Sequence, residues 1–110
     1  MAKEVDFLFG AVGKDGTSSI EGSNDWAAQK LDTGVYEIKF TTPFKALPVV
    51  VVSGYIPREQ GGAASDNTFC VGPITQDSVT IRTFDVESRT NDNAGKIQDA
   101  PFTFMAIANQ

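Results

Sequence analysis

The chain of 110 residues has room for one domain, and its net charge of −5, from nine basic against fourteen acidic residues, argues against a nucleic-acid partner held through its phosphates. It contains no histidine and one cysteine, Cys70, which rules out histidine-based catalysis, histidine ligation of a metal, an internal disulfide and a cysteine-rich metal cage. No apolar run approaches the roughly 20 residues that cross a bilayer as a helix, so membrane insertion is not expected.

Valine and isoleucine number seventeen and leucine three, a β-branched excess that suits pleated strands. In chain order, the first strand runs from about Glu4 to Gly13, with Val5, Phe7, Phe9 and Ala11 sharing one face, and ends at the hairpin signal Asp15-Gly16. A polar stretch from Ser18 to Asp25 precedes a short strand from Trp26 to Leu31, which turns through Asp32-Thr33-Gly34. Val35 to Phe40 alternates cleanly, Tyr36, Ile38 and Phe40 against Glu37 and Lys39. Beyond a bend near Pro48, Val49 to Tyr55 is the next strand, and Ile56 to Asp66 is an open loop. Asn67 to Ile74 reads as a strand interrupted by Gly72-Pro73, as at an edge or a bulge, with Cys70 expected as a small buried residue. In Ser78 to Val86 the apolar phase changes from Val79 and Ile81 to Phe84 and Val86, which predicts a bulge near Thr83. A second polar loop covers Glu87 to Asp99, and Pro101 to Ala108 closes the chain. Six to seven such strands over residues 1–110 specify a single all-β domain, an antiparallel β-sandwich.

Two strands carry apolar residues on both faces. Val49 to Val52 offers valine to each side, and Met105 and Ile107 lie opposite Phe102 and Phe104. A sandwich core uses one face per strand, so Val49, Val51, Met105 and Ile107 are assigned to a subunit interface in preference to a face covered by a loop or the N-terminal strand.

No carboxylate pair stands in a recognisable acid–base motif, and Gly10, Gly13 and Gly16 lack the helix that a phosphate-binding loop requires, so no enzymatic activity is expected. The segment Asn91-Asp92-Asn93-Ala94-Gly95 has oxygen ligands at short spacing but no later bidentate glutamate. It is read as an Asx-rich turn, and neither a metal nor a cofactor is expected. Trp26 is most simply a half-buried core residue. Beside Asn24 and Asp25 it also has the make-up of a sugar-binding surface, an aromatic plane with adjacent hydrogen-bonding groups.

The stretch Gly34 to Phe40, Phe44, Pro48 to Val51, Val79 to Ile81 and Phe102 to Ala106 resembles the H-type lectin-like β-sandwich and similar small domains at the tips of phage tail fibres. Gly10 to Gly13 and Asp15 to Thr17 are similar to the lead-in of the bacterial and phage versions. The resemblance implies an antiparallel sandwich that assembles as a trimer. Its lectin branch holds sugar with an aromatic after the strand corresponding to Val79 to Phe84 and an arginine on that corresponding to Asn67 to Ile74. This chain has Asp85 to Arg89 at the first place and no arginine at the second, so no family binding residue is assigned.

The expectation is a non-enzymatic structural and recognition module, a homotrimeric component of a virion or surface appendage with copies of itself as partners. Glu4 and Asp6 stand where a secretion signal carries its apolar segment, so a non-classical route to the virion or cell surface is expected, with a cytoplasmic location as the alternative. The alternative function is a lectin binding cell-surface glycan through Trp26, Asn24, Asp25, Asn91, Asp92 and Asn93.

Overall fold

A computed structural model describes residues 4–20, 25–54, 67–85 and 96–110. Among these the chain forms eight strands and no helix: β1 (Val5–Val12), β2 (Ser18–Ile20), β3 (Trp26–Asp32), β4 (Val35–Phe40), β5 (Val49–Gly54), β6 (Asn67–Ile74), β7 (Ser78–Asp85) and β8 (Phe102–Asn109). They build two four-stranded sheets of order β2-β1-β8-β5 and β3-β4-β7-β6, with every pairing antiparallel. The expected all-β architecture is present, with one strand more than anticipated. The addition is β2, within the stretch read as polar loop. The Asp15-Gly16 hairpin returns the chain along β1, where Ile20 and Ser18 pair with Ala11 and Val12 and supply hydrogen-bonding partners to that strand.

The core lies between the sheets. Leu8 and Val12 of β1 and Phe102, Phe104, Ala106 and Ala108 of β8 meet Tyr36, Ile38 and Phe40 of β4 and Val79 and Ile81 of β7. Aromatic contacts cross the gap: Trp26 stands edge-on to Phe104 at 4.8 Å, Tyr36 edge-on to Phe102 at 5.3 Å, and Phe69 tilts against Phe102 at 6.1 Å. Gly10 admits the tryptophan, because a Cβ there would lie 2.0 Å from the indole ring.

Two local expectations are corrected. No bulge occurs at Thr83; β7 pairs regularly with β4 from Ser78 to Arg82, and the register shift falls in β6 between Val71 and Ile74, at Gly72-Pro73. Proline has no N–H for the ladder, and the Arg82 guanidinium donates to the Gly72 carbonyl at 2.9 Å beside the irregularity. The phase of β7 never changes: Val79, Ile81 and Thr83 all point inward and are buried. A polar residue in the inward row misled the sequence pattern, and it is accommodated because its hydroxyl donates to the Gln98 carbonyl. Cys70 is exposed rather than buried, since alternation along β6 turns Phe69 and Val71 toward the core and Cys70 away.

The segment before β8 docks on the end of this framework. Thr83 N–H donates to the Gly34 carbonyl at 2.9 Å, and Gln98 N–H to the Thr83 carbonyl at 3.0 Å. Gly34 turns between β3 and β4 with φ +65°, and a Cβ there would lie 2.4 Å from Ile97 and 2.9 Å from the Gln98 nitrogen and the Thr83 carbonyl oxygen. Gly34→Ala therefore combines left-handed backbone strain with a collision against main chain. We expect it to lower unfolding stability by about 2 kcal/mol or more in urea denaturation; a loss below about 0.5 kcal/mol would contradict this account of the turn.

Candidate functional site

The outer faces of the two sheets differ in chemistry. On the β3-β4-β7-β6 sheet, Gln29, Glu37, Lys39, Thr80 and Arg82 alternate with the buried row, as on an ordinary solvated sheet. On the β2-β1-β8-β5 sheet the outward positions of β1, β8 and β5 carry no charge. Register places Phe7, Ile107 and Val49 in one row across the three strands and Phe9, Met105 and Val51 in the next. Five of these six side chains are between 42% and 63% exposed, and Ile107 is half-buried. The Phe7 and Phe9 rings stack 6.2 Å apart. At one margin Val5, Leu47, Val49 and Ile107 line an open notch of about 260 Å³.

The four residues assigned from sequence to an interface, Val49, Val51, Met105 and Ile107, are thus brought together on one surface. Phe7 and Phe9 complete it. Their shared face was visible in the alternation, but Leu8 and Val12 alternate just as well on the other side, and the chain alone did not show which set faces the core. The N-terminal strand does not cover this surface; it is part of the sheet and extends it.

Of the residues considered for sugar binding, Trp26 and Asp25 lie among the described residues. Trp26 is half-buried, its ring against Phe104 and its indole N–H donating to the Phe9 carbonyl at 3.0 Å, so that it closes the sandwich. Asp25 is exposed, and its carbonyl accepts the Thr41 N–H at 2.8 Å. Asn24, Asn91, Asp92 and Asn93 lie outside the described residues. No group of acidic or sulfur ligands able to hold a metal occurs among the described residues.

A second feature, unanticipated from sequence, is an open cleft of about 540 Å³ at the end of the sandwich, lined by Lys14 and Asp15 of the β1–β2 turn, Lys30 and Thr33 of β3 and its turn, and Lys96 to Asp99 ahead of β8. Asp99 anchors it, pairing with Lys30 Nζ at 2.5 Å and accepting the Gly34 N–H at 2.6 Å. Partial burial works to raise the Asp99 carboxyl, but the hydrogen bonds from Lys30 and Gly34, with the charges of Lys30 and Lys14, hold it below its ordinary value. Asp15 is lowered chiefly by hydrogen bonds from the Thr17 hydroxyl, at 2.7 Å, and the Thr17 N–H, at 3.1 Å. Behind them the Tyr36 hydroxyl donates to the Lys14 carbonyl at 2.6 Å; burial first and the Asp99 charge second push it up to about 12, so it remains a neutral donor. These groups come from turns far apart in the chain, so no local spacing marked them.

Comparison with protein-family models, curated proteins and solved structures finds no match to this chain.

Because the Asp99 carboxyl is lowered in the folded protein, its contribution to stability is present above the unfolded-state value of about 3.9 and is lost as pH falls through the lower folded value. Asp99→Asn should lower stability at neutral pH by on the order of 1 kcal/mol and flatten the decline below about pH 4. Unfolding measured across pH 2–7 checks both; an unchanged acid slope would contradict this role for Asp99.

Proposed function

We propose that this protein is a non-enzymatic structural and recognition module that assembles with copies of itself through the outer face of the β2-β1-β8-β5 sheet. The observation that carries the reading is the contrast between the two outer faces, one charged and polar, the other uncharged and apolar across three adjacent strands. The cores of subunit interfaces have this composition, depleted of charge and rich in aromatic and methionine side chains, with a polar rim around them. Covering the exposed parts of six such side chains yields about 1 to 2 kcal/mol each, or roughly 6 to 12 kcal/mol per copy. That is comparable with the roughly 4 to 15 kcal/mol cost of immobilising a partner, so the face supports reversible association strengthened by whatever its rim adds.

A second copy is the occupant because the face occurs once on every chain, and a closed symmetric assembly buries all copies of it at once. The trimer implied by the resemblance to fibre-tip and lectin-like sandwiches is the stoichiometry we propose, and a virion fibre or surface appendage is the setting. The lectin reading draws no specific support from Trp26, whose ring and N–H are both engaged within the sandwich.

Light scattering on the eluting protein at micromolar concentration should give a multiple of the 11.8 kDa chain mass, with threefold the value that fits the trimer. Val51→Lys and Met105→Lys, both at exposed strand positions, should return the mass toward that of one chain while leaving the β-sheet circular dichroism unchanged. A wild-type monomer, or assemblies indifferent to both substitutions, would overturn the assignment.

A further inference from the structure

We propose that the cleft lined by Lys14, Lys30 and Lys96 binds a small oxyanion-bearing ligand of up to monosaccharide size. Three of the chain's nine basic residues meet here, in a protein whose net charge is −5. Two carboxylates share the cleft: both oxygens of Asp99 accept from the protein, from Lys30 and the Gly34 N–H, and one oxygen of Asp15 accepts the hydroxyl and N–H of Thr17. Lys14 and Lys96 have no ion pair within salt-bridge distance among the described residues, although the Lys14 charge acts on Asp15 and Asp99.

The remaining lining suits a polar guest. Thr33 contributes a hydroxyl, and Gln98 spends its side-chain oxygen on the Asn67 amide at 2.9 Å, which leaves its own amide N–H groups as donors. A volume of about 540 Å³ is within the range of small-molecule sites, while three lysines on an acidic chain give far less than a polyanion requires. Lys14 and Lys96 can hold an oxyanion as charge-assisted donors, with ligand hydroxyls on Thr33 and Gln98.

The cleft lies past the Val12–Phe102 pair, at the end of the sheet away from the Phe7–Ile107–Val49 row. It is therefore open whether or not the apolar face is covered, and the inference does not rest on self-association. Titration of the Val51→Lys variant separates the two, because failure of assembly leaves anion binding intact and failure of anion binding leaves assembly intact.

The test is a titration of the isotopically labelled protein at low ionic strength with glucuronate, inorganic phosphate and glucose, followed by backbone amide shifts. Glucuronate should move the Thr33, Lys96 and Asp99 amides saturably, glucose should not, and added salt should weaken the effect. Phosphate acting at the same amides assigns the affinity to the oxyanion, and tighter binding of glucuronate than of phosphate adds a contribution from the sugar ring. Lys14→Gln and Lys96→Gln, singly and together, should weaken glucuronate binding, the double change by roughly threefold or more, whereas Lys45→Gln outside the cleft should not. The single changes serve if the double variant loses its amide dispersion. No saturable shift with either anion, an equal response to glucose, or affinity indifferent to both cleft lysines would overturn the proposal.

Discussion

Two four-stranded sheets with no disulfide between them are held together chiefly by side chains, and the contact on which the rest depends is the aromatic layer centred on Phe102 and Phe104. Tyr36 and Phe69 meet Phe102 from the opposite sheet, and Trp26 meets Phe104. Because β8 lies between β1 and β5, these two phenylalanines fix the inward set of the whole sheet. A one-residue slip of β8 would send both to the outer surface and bring Thr103 and Met105 inside. The same choice determines the outer surface, since with Phe102 and Phe104 inward, Met105 and Ile107 must face out and Phe7, Phe9, Val49 and Val51 must join them. The apolar outer face is thus a consequence of the core, written into the alternate residues of the same strands.

Tyr36 links this layer to the end of the molecule. Its ring is fully buried against Phe102, while its hydroxyl reaches the β1–β2 turn at Lys14 and accepts the Ala100 N–H at 3.3 Å. Asp99, one residue earlier, ties the same segment to Lys30 and Gly34. The turn after β1, the turn after β3 and the approach to β8 are thereby held in one arrangement around the cleft. The two candidate surfaces differ in origin, one a face set by strand alternation and the other a cleft set by turn geometry.

Strand positions were legible because alternation, β-branched content and turn residues agree from Val35 to Phe40 and over Pro101 to Ala108, one residue ahead of the observed Phe102–Asn109 at each end. The two-faced character of Val49 to Val52 and of Met105 with Ile107 pointed to the surface the structure displays. Other features were illegible for definable reasons. Thr83 mimicked a phase change because a threonine with all its hydrogen bonds satisfied can occupy an inward position. Cys70 was placed inside on composition although the parity of its strand puts it out. In β1 both sets, Val5, Phe7 and Phe9 against Leu8 and Val12, carry apolar residues, and it is the pairing with β8 and the Trp26 ring over Gly10 that fix which one faces inward. The lysine cleft depends on residues from three separate turns, a long-range coincidence that no local spacing encodes.

The central claim is that the outer surface of the β2-β1-β8-β5 sheet is buried between copies of the chain. Its most direct measurement is the effect of a soluble paramagnetic relaxation agent on the methyl resonances of Val49, Val51, Met105 and Ile107 in concentrated and dilute protein. The account predicts that these methyls are shielded at high concentration and become accessible on dilution, while those of Val79 and Ile81 stay shielded throughout. Methyls of Val49, Val51 and Met105 that remain fully accessible at every concentration would contradict it.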